Sequence, residues 1–63
     1  MEGIVKWFSP YRGFGFIKSQ GKDYFVHKAD IEKNLNLDRG DKVSFDSQQA
    51  LKGTKAVKVR KIT

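Results

Sequence analysis

The chain has 63 residues, no cysteine and a formal net charge of +6, from thirteen basic and seven acidic residues. A chain this short forms one domain at most, over residues 1–63, and without cysteine it has neither a disulfide nor a thiolate metal site to support its core. The basic balance favours a polyanionic partner. No apolar run is long enough to span a membrane or to act as a leader, so we expect a soluble, cytoplasmic protein.

Short alternating segments separated by turn residues predict an all-β fold. The predicted strands are 3–8, 14–19, 23–27, 42–45 and 55–62, with a single helical turn within 29–34 and a polar loop over 48–54. Five evenly spaced strands favour a small closed or nearly closed barrel. The predicted core consists of Val5, Ile17, Val26, Ile31, Leu37, Val43, Val57 and Val59, with Tyr24 and Phe45 partly buried.

The first strand presents a conflict between core and surface. Side chains alternate faces along a strand, so Val5 and Trp7 should lie on the same face. Val5 can serve the core and Trp7 the surface only if the strand coils or bulges between them.

Two aromatic clusters, at 12–17 and 24–27, carry the functional signal. Alternation places Phe14 and Phe16 on one face of the second strand, and Phe25 and His27 on one face of the third. Pairing of these strands lays four flat rings side by side, and a large exposed apolar patch usually marks a binding site. With lysines and arginines around them, such rings indicate a stacking platform for unpaired nucleic-acid bases.

The segments Lys-Trp-Phe at 6–8, Arg-Gly-Phe-Gly-Phe-Ile at 12–17 and Phe-Val-His at 25–27 closely resemble the cold shock domain, the family of small bacterial cold shock proteins and Y-box proteins. The resemblance runs over essentially the whole chain. It implies a five-stranded antiparallel OB-fold barrel that binds single-stranded RNA and DNA with little sequence preference, without enzymatic activity. The function we expect is that of a nucleic-acid chaperone that acts in cold shock or other stress, or in the control of transcription and translation.

The resemblance also assigns roles to individual positions. Lys6 and Trp7 match binding positions of the first strand, Arg12 a basic position, and Asp23 an acidic one that can accept hydrogen bonds from a base edge. The motif rings fall on Phe14, Phe16, Phe25 and His27, and Lys52 matches a basic loop residue. The full set of candidate nucleic-acid contacts is Lys6, Trp7, Phe8, Tyr11, Arg12, Phe14, Phe16, Asp23, Phe25, His27, Lys28 and Lys52.

Two departures from the family pattern shorten the expected platform. The family usually has an aromatic residue directly after the motif histidine, where this chain has Lys28. The family's next loop is longer and carries a ring that caps the bound strand, whereas residues 32–36 contain none. Tyr11 adds a ring beside Arg12, and Lys28 and Lys33 add charge, so we expect a shorter platform that depends more on electrostatics.

Two other binding functions fit the same residues. A small basic barrel could bind duplex DNA by inserting apolar wedges between base steps, and an aromatic patch could grip a peptide. An enzyme is not indicated, because His27 has no nucleophile partner in a recognisable motif and no second metal ligand. We therefore expect a monomer whose partners are single-stranded RNA and DNA, with no catalytic residue, metal, cofactor, small-molecule substrate or membrane contact.

Overall fold

The computed structural model describes residues 1–32, 36–51 and 53–62, and these form a closed β-barrel. The strands are β1 (Glu2–Ser9), β2 (Phe14–Ser19), β3 (Lys22–His27), β4 (Lys42–Ala50) and β5 (Gly53–Lys61), with a 3₁₀ helix at Lys28–Asp30. The neighbour order is β1-β2-β3-β5-β4, and β1 pairs with β4 to close the barrel. The predicted five-stranded barrel is confirmed; among its strand pairs, β3 with β5 is parallel and the others are antiparallel.

The barrel interior is filled by side chains from all five strands and from the segments between β3 and β4. The buried hydrophobic residues are Val5, Ile17, Tyr24, Val26, Ile31, Leu37, Val43, Phe45, Ala56 and Val59. Tyr24 and Phe45, expected to be only partly buried, are 6% and 1% exposed, and their rings lie 5.1 Å apart. Among the residues described, no helical segment is long and apolar enough to cross a membrane.

A β-bulge in β1 resolves the conflict over its two faces. Val5 pairs with Ile17, but Trp7 already pairs with Phe16, so β1 advances two residues where β2 advances one. Lys6 is the extra residue, and it turns the strand so that Val5 is 1% exposed while Trp7 is 39% exposed. Backbone groups of Val5 bond instead to the loop before β4, through Asp41 at 2.9 Å and Gly40 at 2.8 Å.

A second bulge, in β5, makes the prediction for Val57 wrong. Ser44 pairs with Arg60 and Asp46 with Val57, so β5 contains one residue more than β4 between these pairs. Lys58, in the left-handed region with φ 53°, lies in this interval. The extra residue reverses the alternation, and Ala56 therefore occupies the core with Val59 while Val57 is only half-buried.

The polar loop predicted over 48–54 is also wrong. Gln48 pairs with Lys55 and Gln49 with Thr54, so β4 and β5 extend as a two-stranded hairpin beyond the predicted strand ends. The residues at 46–50 are all exposed, so this part of the hairpin covers no core and needs no apolar alternation. Its polar composition therefore looks like that of a loop. The predicted helical turn is present as the 3₁₀ helix, and the part of that prediction at 33–34 lies outside the described residues.

Candidate nucleic-acid interface

Four aromatic side chains from three adjacent strands form a closed circuit of ring contacts on the barrel surface. This ring cluster consists of Trp7, Phe14, Phe16 and Phe25. The Trp7 ring lies 5.7 Å from Phe14 and 5.5 Å from Phe16, and Phe25 lies 5.8 Å from each of the same two rings. These are the separations of edge-to-face and offset-stacked pairs. The three phenylalanines are half-buried, and Trp7 is exposed.

The register of the three strands explains why these rings meet. Trp7 pairs with Phe16, which in turn pairs with Phe25, so the three lie in one row across the sheet. Gly15 lets β1 approach closely enough for this contact. A Cβ atom at Gly15 would lie 2.3 Å from the Trp7 carbonyl oxygen and 2.6 Å from the Phe8 Cα. Any side chain there would therefore push β1 away from β2 and separate the rings.

His27 lies at one end of the ring cluster, paired in register with Phe14 and exposed. Its Nδ1 atom accepts a hydrogen bond of 3.1 Å from the backbone N–H of Ala29 at the start of the 3₁₀ helix. This bond fixes one edge of the imidazole and leaves the Nε2 edge for a ligand.

Phe8 and Tyr11 are not brought into the ring cluster. Phe8 is half-buried and packs against the core, on the opposite face of β1 from Trp7. Tyr11 is 92% exposed in the loop between β1 and β2. Among the residues described, neither ring pairs with those of the cluster.

Two predicted polar contacts are already joined to each other. Lys6 Nζ donates to Asp23 Oδ2 at 3.1 Å, and both side chains are about half exposed, at 51% and 46%. An exposed ion pair of this kind contributes only about 0–1 kcal/mol, so a ligand can separate the two groups at little cost. Lys6 and Asp23 therefore remain available to a phosphate and to a base edge.

The remaining basic candidates lie near the His27 end, apart from Lys52, which is outside the described residues. Arg12 is exposed, and its backbone N–H bonds to Ser9 Oγ at 3.2 Å within the loop between β1 and β2. The Lys28 backbone N–H donates to the Gly13 carbonyl at 2.8 Å, and the Lys28 side chain passes directly over Gly13. Lys28 therefore borders the Phe14 end of the ring cluster, and Arg12 lies two residues before Phe14 in the chain.

Comparison with known proteins identifies the family of this chain. Residues 1–62 match the family model described as the 'Cold-shock' DNA-binding domain. The chain belongs to the cold shock domain family. This is a family of nucleic-acid-binding domains, and the resemblance seen in the motifs is confirmed over nearly the whole chain.

Individual cold shock proteins show the same relationship. The chain is 46% identical over 63 residues to cold shock protein CspC of Bacillus subtilis, covering 95% of this chain and 96% of that protein. It is 41% identical over 64 residues to a major cold shock protein of Streptococcus pyogenes, covering 97% and 96%. The solved structure of Drosophila Unr CSD456 matches with a TM-score of 0.79 at 20% identity, over 98% of this chain and 26% of the other. The chain thus spans about a quarter of that larger structure, which supports the fold alone.

This cold shock domain has a groove beside the ring cluster that sequence reasoning missed. The groove has a volume of about 780 Å³ and lies between the rings and the β4–β5 hairpin, lined by Phe16, Asp23, Phe25, Ala50, Leu51, Gly53, Thr54 and Lys55. Leu51 is fully exposed at the hairpin turn. Leu51 and its hairpin neighbours lie in the segment predicted as a loop. A leucine in this largely polar segment is the signal in the sequence that could indicate the groove.

Proposed function

We propose that this cold shock domain binds single-stranded RNA and DNA with little sequence preference and acts as a monomeric nucleic-acid chaperone in the cytoplasm. The observation that carries the proposal is the ring cluster, in which four aromatic side chains share one surface of three adjacent strands. No small-molecule substrate is needed for this function.

Stacking supplies the main part of the binding energy. Each base stacked on an aromatic side chain contributes about 1–3 kcal/mol, and every base has a π-face, so the interaction tolerates any sequence. Three or four such contacts offset the base pairing that a weak RNA hairpin would regain. A strand held in this way presents its base faces to the protein, and a duplex, whose faces are stacked internally, competes poorly.

Charge supplies the rest of the affinity and its salt dependence. The chain carries a net charge of +6. Lys6 is next to Trp7 in the chain, Arg12 is two residues before Phe14, and the Lys28 side chain lies over Gly13. Phosphate contacts on single strands release counterions, so binding weakens as salt rises. The polar groups of Asp23 and His27 lie beside the rings, where they can meet base edges without imposing a full sequence code.

Fluorescence of Trp7, the only tryptophan, provides the test. Titration with a short single-stranded oligonucleotide, as RNA and as DNA, should quench it at lower concentration than titration with the duplex of the same sequence. A fluorophore-labelled RNA hairpin should open as the protein is added. Equal affinity for duplex and single strand would favour a duplex-binding barrel. Binding to a proline-rich peptide that is insensitive to salt, with none to oligonucleotides, would favour a peptide module.

A further inference from the structure

The surface that carries the rings continues beyond them into a row of lysine and isoleucine side chains. Lys18 lies two residues after Phe16 on the same outward face of β2. It pairs across the sheet with Ile4 of β1, which pairs in turn with Lys42 of β4. We call these three residues the lysine row: Lys18, Ile4 and Lys42. The lysine row crosses three strands and continues around the barrel wall from the ring cluster.

The two cations of the lysine row are poorly neutralised. Lys18 faces Asp23 in register, but the Asp23 carboxylate is paired with Lys6 at 3.1 Å. Within the described part of the chain, Lys18 forms no ion pair. Among the described residues, Lys42 has one long ion-pair contact, of 3.9 Å with Glu2, and its side chain is 53% exposed.

Neighbouring side chains keep the surface open and basic. Ile4 is 45% exposed between the two lysines, and Ile62, whose backbone N–H bonds to the Lys42 carbonyl, is 43% exposed beyond them. In the next row, Glu2 and Arg60 lie on either side of Ser44, so this row has one acidic and one basic residue and adds no formal net charge, and its Glu2 carboxylate is the one in long contact with Lys42. The lysine row therefore keeps its positive charge next to an apolar strip.

We propose that the lysine row holds the phosphate backbone of the same single strand as it leaves the ring cluster past Phe16. This inference rests on the function proposed above and extends its site around the β1–β4 side of the barrel. Lys18 is about 7 Å from Phe16 along β2, and Lys42 is about 10 Å from Lys18 across two strand spacings. The strand thus continues from a stacking surface to a row of cations, and the chain binds more nucleotides than its rings alone can hold.

The experiment measures affinity against oligonucleotide length. Wild type and the variants Lys18→Gln, Lys42→Gln and their combination are titrated by Trp7 fluorescence with oligothymidines of about four to about sixteen nucleotides, the range of site sizes known for OB folds. Lys58→Gln is the matched control, because Lys58 lies in the bulge of β5 and lines a separate groove with Asp30 and Asp46. It removes the same charge outside the lysine row.

The expected result depends on length. For short oligonucleotides the lysine-row variants match the control. For long oligonucleotides, each single variant binds about 5-fold more weakly than wild type at about 0.1 M salt, and the combined variant binds about 25-fold more weakly. The reason is that each phosphate contact on a single strand contributes about 0.7 to the slope of log K against log salt. The slope of log K against log salt becomes shallower by about 1.4 for the combination.

Three results would overturn the inference. One is a loss no greater than that of Lys58→Gln at every length, and another is an equal loss at short and long lengths. The third is a second oligonucleotide bound per chain, which would assign the lysine row to a separate strand. Failure of wild type to bind any single strand would instead reject the proposed function itself, and the lysine row with it.

Discussion

At the scale of single residues, the ring cluster combines packing with exposure. Each phenylalanine is half-buried and contacts two other rings of the cluster. The core has a separate aromatic pair, Tyr24 and Phe45. Substitutions in the cluster and in the core should consequently have separable effects on binding and on stability.

Replacing Phe25 by alanine tests this separation. Phe25 contacts both Phe14 and Phe16 and lines the neighbouring groove, so Phe25→Ala should weaken single-strand binding by about 1–3 kcal/mol. Its cost in stability should stay below the about 3–5 kcal/mol typical of a buried phenylalanine. The core variant Phe45→Leu is the control and should lower the unfolding midpoint while affinity stays unchanged. If Phe25→Ala chiefly unfolded the protein, the cluster would be core rather than interface.

Lys28 directly follows the motif histidine, where the resemblance to the cold shock domain leads us to expect an aromatic residue. Its side chain lies over Gly13, next to Phe14, so Lys28→Phe should add a stacking position at that end. We expect binding to tighten by about 1–3 kcal/mol and the salt slope to become shallower by about 0.7. The control variant Lys28→Gln removes the charge without adding a ring, so its affinity shows how much of the change in Lys28→Phe comes from the lost charge. Unchanged affinity of Lys28→Phe at every salt concentration would show that the strand does not pass over this position.

At the scale of elements, β2 and β3 could be predicted from the sequence and β1 and β5 only in part. In β2 and β3 the alternation is unbroken, so Phe14, Phe16 and Phe25 were assigned to the correct face. A bulge changes the face of every residue after it, and neither Lys6 nor Lys58 carries a residue-type signal for one. The conflict between Val5 and Trp7 indicates the first bulge, because the sequence predicts a core position for Val5 and a surface position for Trp7. No comparable conflict indicates the second bulge, so strict alternation wrongly assigns Val57 to the core.

Close approach of β1 to β2 depends on Gly15, and Gly15→Ala should therefore disrupt both fold and interface. The new methyl group would meet backbone atoms of Trp7 and Phe8, which cannot move independently of the strand. We expect a loss of about 1–3 kcal/mol or more, equivalent to about 4–8 °C in Tm for each kcal/mol, together with weaker oligonucleotide binding. Gly21→Ala is the control. Gly21 has φ 78° but open space around it, so its variant should lose stability through backbone strain alone and keep its affinity. A Gly15→Ala protein with normal binding would contradict the role assigned to this contact.

At the scale of the whole molecule, the loop before β4 joins strands that are distant in sequence. Asp41 in this loop contacts both β1 and β5. Its carbonyl accepts from the Val5 N–H of β1, and its carboxylate accepts from the Asp38 N–H at 2.9 Å and pairs with Lys61 of β5 at 3.2 Å. The hydrogen bond from Asp38, followed by the contact with Lys61, lowers the pKa of Asp41 below that of a free aspartate. Sequence reasoning identified this segment only as a turn, because the partners of Asp41 become neighbours only when the barrel closes.

The lowered pKa of Asp41 predicts a pH dependence of barrel stability. The folded-state pKa lies below the unfolded one, so the carboxylate contributes stability that is present above about pH 4 and is lost as the pH falls through the folded-state value. Asp41→Asn should therefore have a lower Tm than wild type at neutral pH, and the difference should shrink below about pH 4 as the wild-type carboxylate is protonated. Asp46→Asn raises the net charge equally, and Asp46 forms no ion pair among the described residues, so it controls for general repulsion in this basic chain. Thermal unfolding followed by circular dichroism across this pH range measures all three proteins. A constant gap between wild type and Asp41→Asn down to the lowest pH would mean that the Asp41 side chain stabilises the barrel by packing and not by its charge.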